Sequence, residues 1–288
     1  MNAIWTIARH TVRECVRRRV FLVVPVATVG FLALYAIGNH FAFRNILGGD
    51  TTTGFAGGLV DQRALAGATL VGLGMFMELF LASSLGIFLT FSTIRGDAEQ
   101  GILQPLVVRP VARSGVVIGR FVGASIVCAL YAAFLYLATV LITWVVGSWA
   151  PSPLLLPGVA MTAGVEVIIA LSLLGSTLLT ALPNGIAMFM LYGAGLLGGL
   201  LGQLGQVLSS PSLQTTGRVT SWVLPYEALY QAGLNYLTSS ATGLTRVVVR
   251  LGPLGGASAG GPLLGVWAVV YVIGVGMGCI ALFGRRDL

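Results

Sequence analysis

Six stretches of this chain are each long enough to cross a bilayer and carry at most one charged side chain apiece: residues 20–38, 66–94, 116–147, 158–182, 186–208 and 263–283. A helix needs about 20 mostly apolar residues to cross a hydrocarbon core of about 30 Å. With no water at that depth, the backbone must satisfy its own N–H and C=O groups, which a helix does within a single segment. The expectation is an all-α polytopic membrane protein with six transmembrane helices. Composition agrees. Apolar residues fill 56% of 288 positions and charged ones 9%, against about 25% charged in soluble domains, and the mean hydropathy is +0.93. A water-soluble fold lacks the charge to cover its surface, and a disordered chain would lack this much apolar content.

Breaks between the spans follow proline and glycine. Trp149-Ala150-Pro151-Ser152-Pro153 and Pro157 separate the third span from the fourth, and Pro183-Asn184-Gly185 is expected to turn the chain tightly into the fifth. Residues 209–262, rich in Ser, Thr and Gly, read as an extracytoplasmic connection. Within it, Leu224-Pro225-Tyr226-Glu227-Ala228-Leu229-Tyr230 is expected to start a short interfacial helix. Proline suits a first helical turn and tyrosine a headgroup depth.

Arginine sets the orientation, since basic residues near span ends favour the cytoplasmic side. Six spans place both termini together. That side holds Arg9, Arg13, Arg17, Arg18, Arg19, Arg95, Arg109, Arg113, Arg120, Arg285 and Arg286, while Arg44, Arg63, Arg218, Arg246 and Arg250 fall outside. Both termini are therefore expected in the cytoplasm. The apolar run after Arg17-Arg18-Arg19 is longer than the 7–15 residues typical of a signal peptide, so it reads as a retained first span. Ahead of it, in residues 1–19, Ile4, Trp5, Ile7, Ala8, Val12, Cys15 and Val16 share one helical face, opposite Arg9, His10, Arg13, Glu14 and Arg17. A basic amphipathic helix of this kind lies along the membrane interface.

Several chemistries are excluded by residue type. All sixteen basic residues are Arg, so the chain has no P-loop lysine to reach a nucleotide's phosphates and no amine for a Schiff base. His10 and His40 are thirty residues apart, Cys15, Cys128 and Cys279 are scattered, and no CxxC or HExxH pattern occurs. No catalytic or metal site is expected, and nothing points to a nucleic-acid partner. Met75 and Met77 flank Glu78 with soft sulfur, but two residues apart they lie on different helix faces.

Charge absent from the spans gathers in residues 95–115 between the second and third of them. Asp97 and Glu99 precede Ile102, Leu103 and Leu106, which suits a short helix with acids in its first turn, and Arg109-Pro110 ends it. Apolar knobs ringed by charge on a cytoplasmic helix are what a soluble partner grips.

With these residues in view, the chain resembles the type-two ATP-binding-cassette (ABC) permeases over its whole length. That family shows an amphipathic N-terminal elbow, six spans and, after the second, an acid, a glycine, apolar positions, then Arg-Pro-(Val/Ile)-(Ser/Ala)-Arg and Gly-(Lys/Arg). Here stand Glu99, Gly101, Leu103, Leu106, Arg109-Pro110-Val111-Ala112-Arg113 and Gly119-Arg120. The family's frequent ending is matched by Phe283-Gly284-Arg285-Arg286-Asp287-Leu288. Ala112 replaces a frequent serine. The resemblance implies that Asp97, Glu99, Gly101, Leu103, Leu106, Arg109, Pro110 and Arg113 form a cytoplasmic coupling helix docking on a separate ABC ATPase, with ATP and magnesium bound by that partner and no cofactor by this chain. It further implies a second permease copy, a bacterial inner-membrane location, outward transport or force transmission alone to an external partner and, in some relatives, an extracytoplasmic accessory protein.

Two polar features remain inside the spans. Glu78 and Glu166 each interrupt an apolar run, where an ionised side chain costs about 2.5–3.5 kcal/mol on insertion scales. They are candidates either for lining a substrate path or for bonding protonated to a neighbouring helix. They also define the rival reading, a secondary transporter carrying protons on these carboxylates. An intramembrane enzyme lacks a visible nucleophile, base or metal cluster. Gly195 with Gly199 and Gly198 with Gly202 form two small-xxx-small pairs, which let helix backbones approach closely. These four glycines are expected at a subunit interface.

Overall fold

The computed structural model describes residues 20–48, 61–91, 113–237, 239, 260–261 and 263–284; among them the regular structure is helical, with no strand. The helices are α1 (Val20–Gly48), α2 (Gln62–Thr90), α3 (Arg113–Gly147), α4 (Leu155–Leu178), α5 (Ala181–Val207), α6 (Pro211–Val223), α7 (Pro225–Leu237) and α8 (Leu264–Gly284). Six of them, all but α6 and α7, are long and apolar enough to cross a membrane, the character of a multi-pass membrane protein. The elbow expected over 1–19 and the coupling segment up to residue 112 lie outside the described residues.

The two largest differences from the expected bounds, at the end of α1 and the start of α5, each have a local reason. α1 continues past residue 38 to Gly48, because the polar break at Asn39 is absorbed by the helix: its side-chain amide donates to Tyr35 O one turn back, at 2.8 Å. Pro183-Asn184-Gly185 does not make the turn into α5 but sits inside that helix's first turn. Leu179 and Thr180, both extended, make the turn instead. Proline suits that position since a first-turn N–H has no intrahelical partner to lose. Asn184 donates to Phe91 O at 3.1 Å and Ser172 O at 3.0 Å, tying the start of α5 to α2 and α4.

α4 is the central element, packed on α2, α3, α5, α7 and α8. Ala160, Met161, Val165, Val167, Ile168, Ile169 and Leu173 are buried around its circumference, as befits a helix apolar on every side. Hydroxyl pairs fasten its neighbours: Thr90 donates to Ser172 at 2.8 Å between α2 and α4. Thr28 shares a 2.6 Å bond with Tyr131, and Tyr35 a 2.8 Å bond with Thr143, between α1 and α3. α8 lies at the edge, exposing Val266, Val269, Val270, Ile273 and Met277, an apolar surface suited to lipid rather than water.

The bundle has two distinguishable ends. At one, Gly147 rests on the Phe43 ring and Gly67 on the Trp149 ring. At the other, Val117, Leu173, Cys279 and Phe283 cluster. Alternation of the spans puts the start of α1, the end of α8 and the connection from α2 to α3 at the second end.

α6 and α7 have 13 residues each, about 20 Å at 1.5 Å per residue, too short to cross. Their course follows from what faces α5. Gly205 meets Leu213 and Gln214, Gly202 meets Gly217, Gly198 meets Thr220, and Gly195 meets Tyr226. α6 therefore runs antiparallel to α5, from the first end to the middle of the bundle. α7 returns beside α4, where Gly233 lies against Pro157 and Ala160, and Ser239 then donates to Ser152 O at 3.2 Å. Leu224, at the turn, is buried, and its N–H donates to Thr220 O at 2.7 Å while Glu227 N donates to Leu224 O at 3.2 Å. A non-helical turn at this depth stands because protein encloses it and its backbone groups are paired. The helix expected to lie at the interface is thus instead enclosed: Pro225 through Leu234 are all buried, since α4, α5 and α8 surround α7 where headgroups would have left one face open.

Candidate functional site

Four acidic side chains belong to the described residues, and they play different parts. Asp61 caps α2, accepting from the N–H groups of Arg63 at 3.0 Å and Ala64 at 3.1 Å, a helix-capping role. The other three lie within the bundle.

Glu78 is fully buried on α2, and neither of its oxygens has a hydrogen-bond partner among the described residues. Glu166 of α4 accepts a short hydrogen bond from the Ser125 hydroxyl of α3. It lines an apolar cleft of about 520 Å³ between those helices, walled by Leu137, Val159 and Ala163 among others. Glu78 is not among the residues lining that cleft, so the structure does not join the two carboxylates in one cavity. Met75 is buried and Met77 is 41% exposed, so the two sulfurs flanking Glu78 point apart. Among the described residues no three His, Cys, Asp or Glu side chains converge to hold a metal ion.

Glu227, in the first turn of α7, was not read from the sequence as a site residue. Only 2% of its surface is exposed. Gln231 Nε2 donates to its Oε1 at 2.9 Å and the Ser221 hydroxyl to its Oε2 at 3.3 Å. Burial pushes this carboxyl above the usual range, and the Gln231 and Ser221 hydrogen bonds pull partly against it. A Cβ at Gly199 would fall on its Oε1, so the bare glycine backbone is what lets the carboxyl sit against α5.

Around it α5, α6 and α7 enclose a polar pocket of about 260 Å³. Glu227 and Gln231 are its most buried polar side chains, while Gln206, Arg218 and Trp222 are exposed at its mouth. Gln203, Gln214 and Ser221 lie between. Four of the chain's seven glutamines line it, a concentration of amide donors and acceptors that an apolar bundle would otherwise exclude. The sequence signal was a carboxyl two residues after a proline, opposite a helix face stripped of side chains.

The four glycines expected at a subunit interface spend their close approach inside the chain. Gly195, Gly198, Gly199 and Gly202 face Tyr226, Thr220, Glu227 and Gly217 of α6 and α7. Of the expected docking residues, Asp97, Glu99, Gly101, Leu103, Leu106, Arg109 and Pro110 lie outside the described residues, and Arg113 is the first residue of α3, its side chain likewise outside them. No protein-family model matches the chain, and no curated protein matches it.

Proposed function

We propose that the chain is the membrane-spanning permease subunit of an ABC exporter, acting as two copies with two copies of a separate ATPase subunit that binds ATP and magnesium. The observation that supports this reading is the order of motifs along a six-span chain: the acid-glycine-apolar-Arg-Pro-Val-Ala-Arg run from Glu99 to Arg113 follows α2 and ends on the first residue of α3. In this reading, closure of the ATPase pair pushes on that connection. The push reaches α2 and α3, both packed on α4, and α4 in turn contacts α5, α7 and α8. One central helix thereby offers a route by which work done at one end reaches the whole bundle.

The test is co-purification in detergent of this chain with an ABC ATPase encoded beside it, comparing wild type with Glu99→Arg and Leu103→Asp. Retention of the ATPase by wild type and its loss from both variants, with insertion unchanged, is the expected result. Equal retention by all three removes the docking reading.

One observation favours the second reading, gradient-driven transport. Glu78 is a fully buried carboxyl without a partner among the described residues, the condition of a side chain that carries a proton. That reading requires uptake or efflux in vesicles to follow an imposed pH gradient without ATP, and to stop in Glu78→Gln.

A further inference from the structure

The pocket inside the helical hairpin has two features that a merely structural polar patch would not need. Glu227 on one wall and Arg218 on another carry opposite formal charges, yet among the described residues neither belongs to an ion pair. Gln231, 6% exposed, lines the same pocket, and its Oε1 has no hydrogen-bond partner among the described residues. A buried polar atom left unpaired is destabilising, and a buried carboxyl without a countercharge is likewise unfavourable.

We propose that this pocket binds a compact zwitterion, a primary ammonium separated by a short linker from an anionic group, as in an ethanolamine phosphate headgroup. The ammonium belongs on the floor. It presents three N–H donors, and the floor offers the Glu227 carboxylate, each oxygen keeping a lone pair beyond the bond it already accepts, beside Gln231, whose Oε1 has no hydrogen-bond partner among the described residues. The anionic group belongs at the mouth, where the exposed Arg218 guanidinium supplies paired donors for phosphate or carboxylate. Trp222 adds a flat wall beside the linker. Size sets the limit: about 260 Å³ is below the range of about 300–1,000 Å³ for drug-sized ligands, so the pocket takes a headgroup and no more. A neutral polyol would use the glutamines but leave both charges uncompensated.

Two sources supply this chemistry, a phosphatidylethanolamine in the surrounding bilayer and a free phosphoethanolamine in water. The site stands independently of any ATPase, so its test needs none. The full chain, in phospholipid-free micelles of a non-ionic detergent, is titrated calorimetrically with O-phosphoethanolamine and, separately, with dihexanoyl phosphatidylethanolamine. O-phosphocholine, which has the same charges but no N–H donors, is the control.

Saturable binding of either ethanolamine probe is the expected result, about tenfold or more weaker in Glu227→Gln and in Arg218→Gln, and similarly weaker for phosphocholine. Binding of the lipid probe alone assigns the occupant to the bilayer; binding of the free probe alone assigns it to the aqueous side. Arg218 is exposed, so its variant tests the site without disturbing the buried packing. The proposal is overturned if neither ethanolamine probe saturates, if phosphocholine binds as tightly, or if both variants bind like wild type. Saturable binding of glucose in place of the zwitterions would overturn it as well.

Discussion

At the scale of single residues, Glu227 sets the stability of the hairpin against pH. Burial raises its carboxyl above the usual range, so the folded chain holds that proton more tightly than the unfolded chain. Its contribution to stability is present in full below the unfolded value near about 4.3 and is lost as pH rises through the folded value. Glu227→Gln keeps a side chain that hydrogen-bonds Ser221 and Gln231 but never ionises. The variant's melting temperature is expected to exceed that of wild type at about pH 8, with the gap narrowing toward about pH 5. A gap unchanged by pH would contradict this account. Glu78 and Glu166 were legible in the sequence because each is a lone charge in an apolar run. Glu227 was not, because Pro225, Tyr226 and Tyr230 made its surroundings look like a short helix at the membrane interface, where a carboxyl is ordinary.

At the scale of elements, the six long helices were legible from hydropathy alone, and so was a break before α4, although Pro157, expected within that break, lies in the helix's first turn. The hairpin was only half legible. Thr215, Thr216, Arg218 and Thr220 give α6 a polar look, and single-segment hydropathy does not reveal that other helices of the same chain will enclose its partner α7. The glycines of α5 announced a close approach without naming the partner. That partner sets the next expectation: Gly202 and Gly217 meet backbone to backbone, so Gly217→Leu forces α6 off α5 at a cost of about 1–3 kcal/mol or more. Hydrogen exchange read by peptide is expected to show faster exchange across residues 211–237 in this variant, with α1 to α3 protected as before. Unchanged exchange in that segment would mean that the glycine contact does not hold the hairpin.

For the whole molecule, the two ends predict accessibility from opposite sides. Ser152 and Ser239 lie together at the end where α6 and α7 enter, and Thr180 lies at the other. With Cys15, Cys128 and Cys279 replaced, Ser152→Cys and Ser239→Cys are expected to react with an impermeant maleimide on intact cells, and Thr180→Cys only after permeabilisation. Reversal would invert the arginine-based orientation, and equal labelling of all three would contradict the six-span alternation.

Because α6 and α7 turn back at Leu224, the molecule's cross-section is not uniform. Among the described residues, the half nearer Ser152 is eight helices thick, with α7 wedged among α4, α5 and α8, while the half nearer Thr180 has the six long helices. Close-packed interiors resist compression and pass strain along, so the crowded half is expected to be the stiffer and the sparser half the more compliant. A force applied where α2 gives way to α3 therefore meets the compliant half first, and bending concentrates near the level of the buried turn.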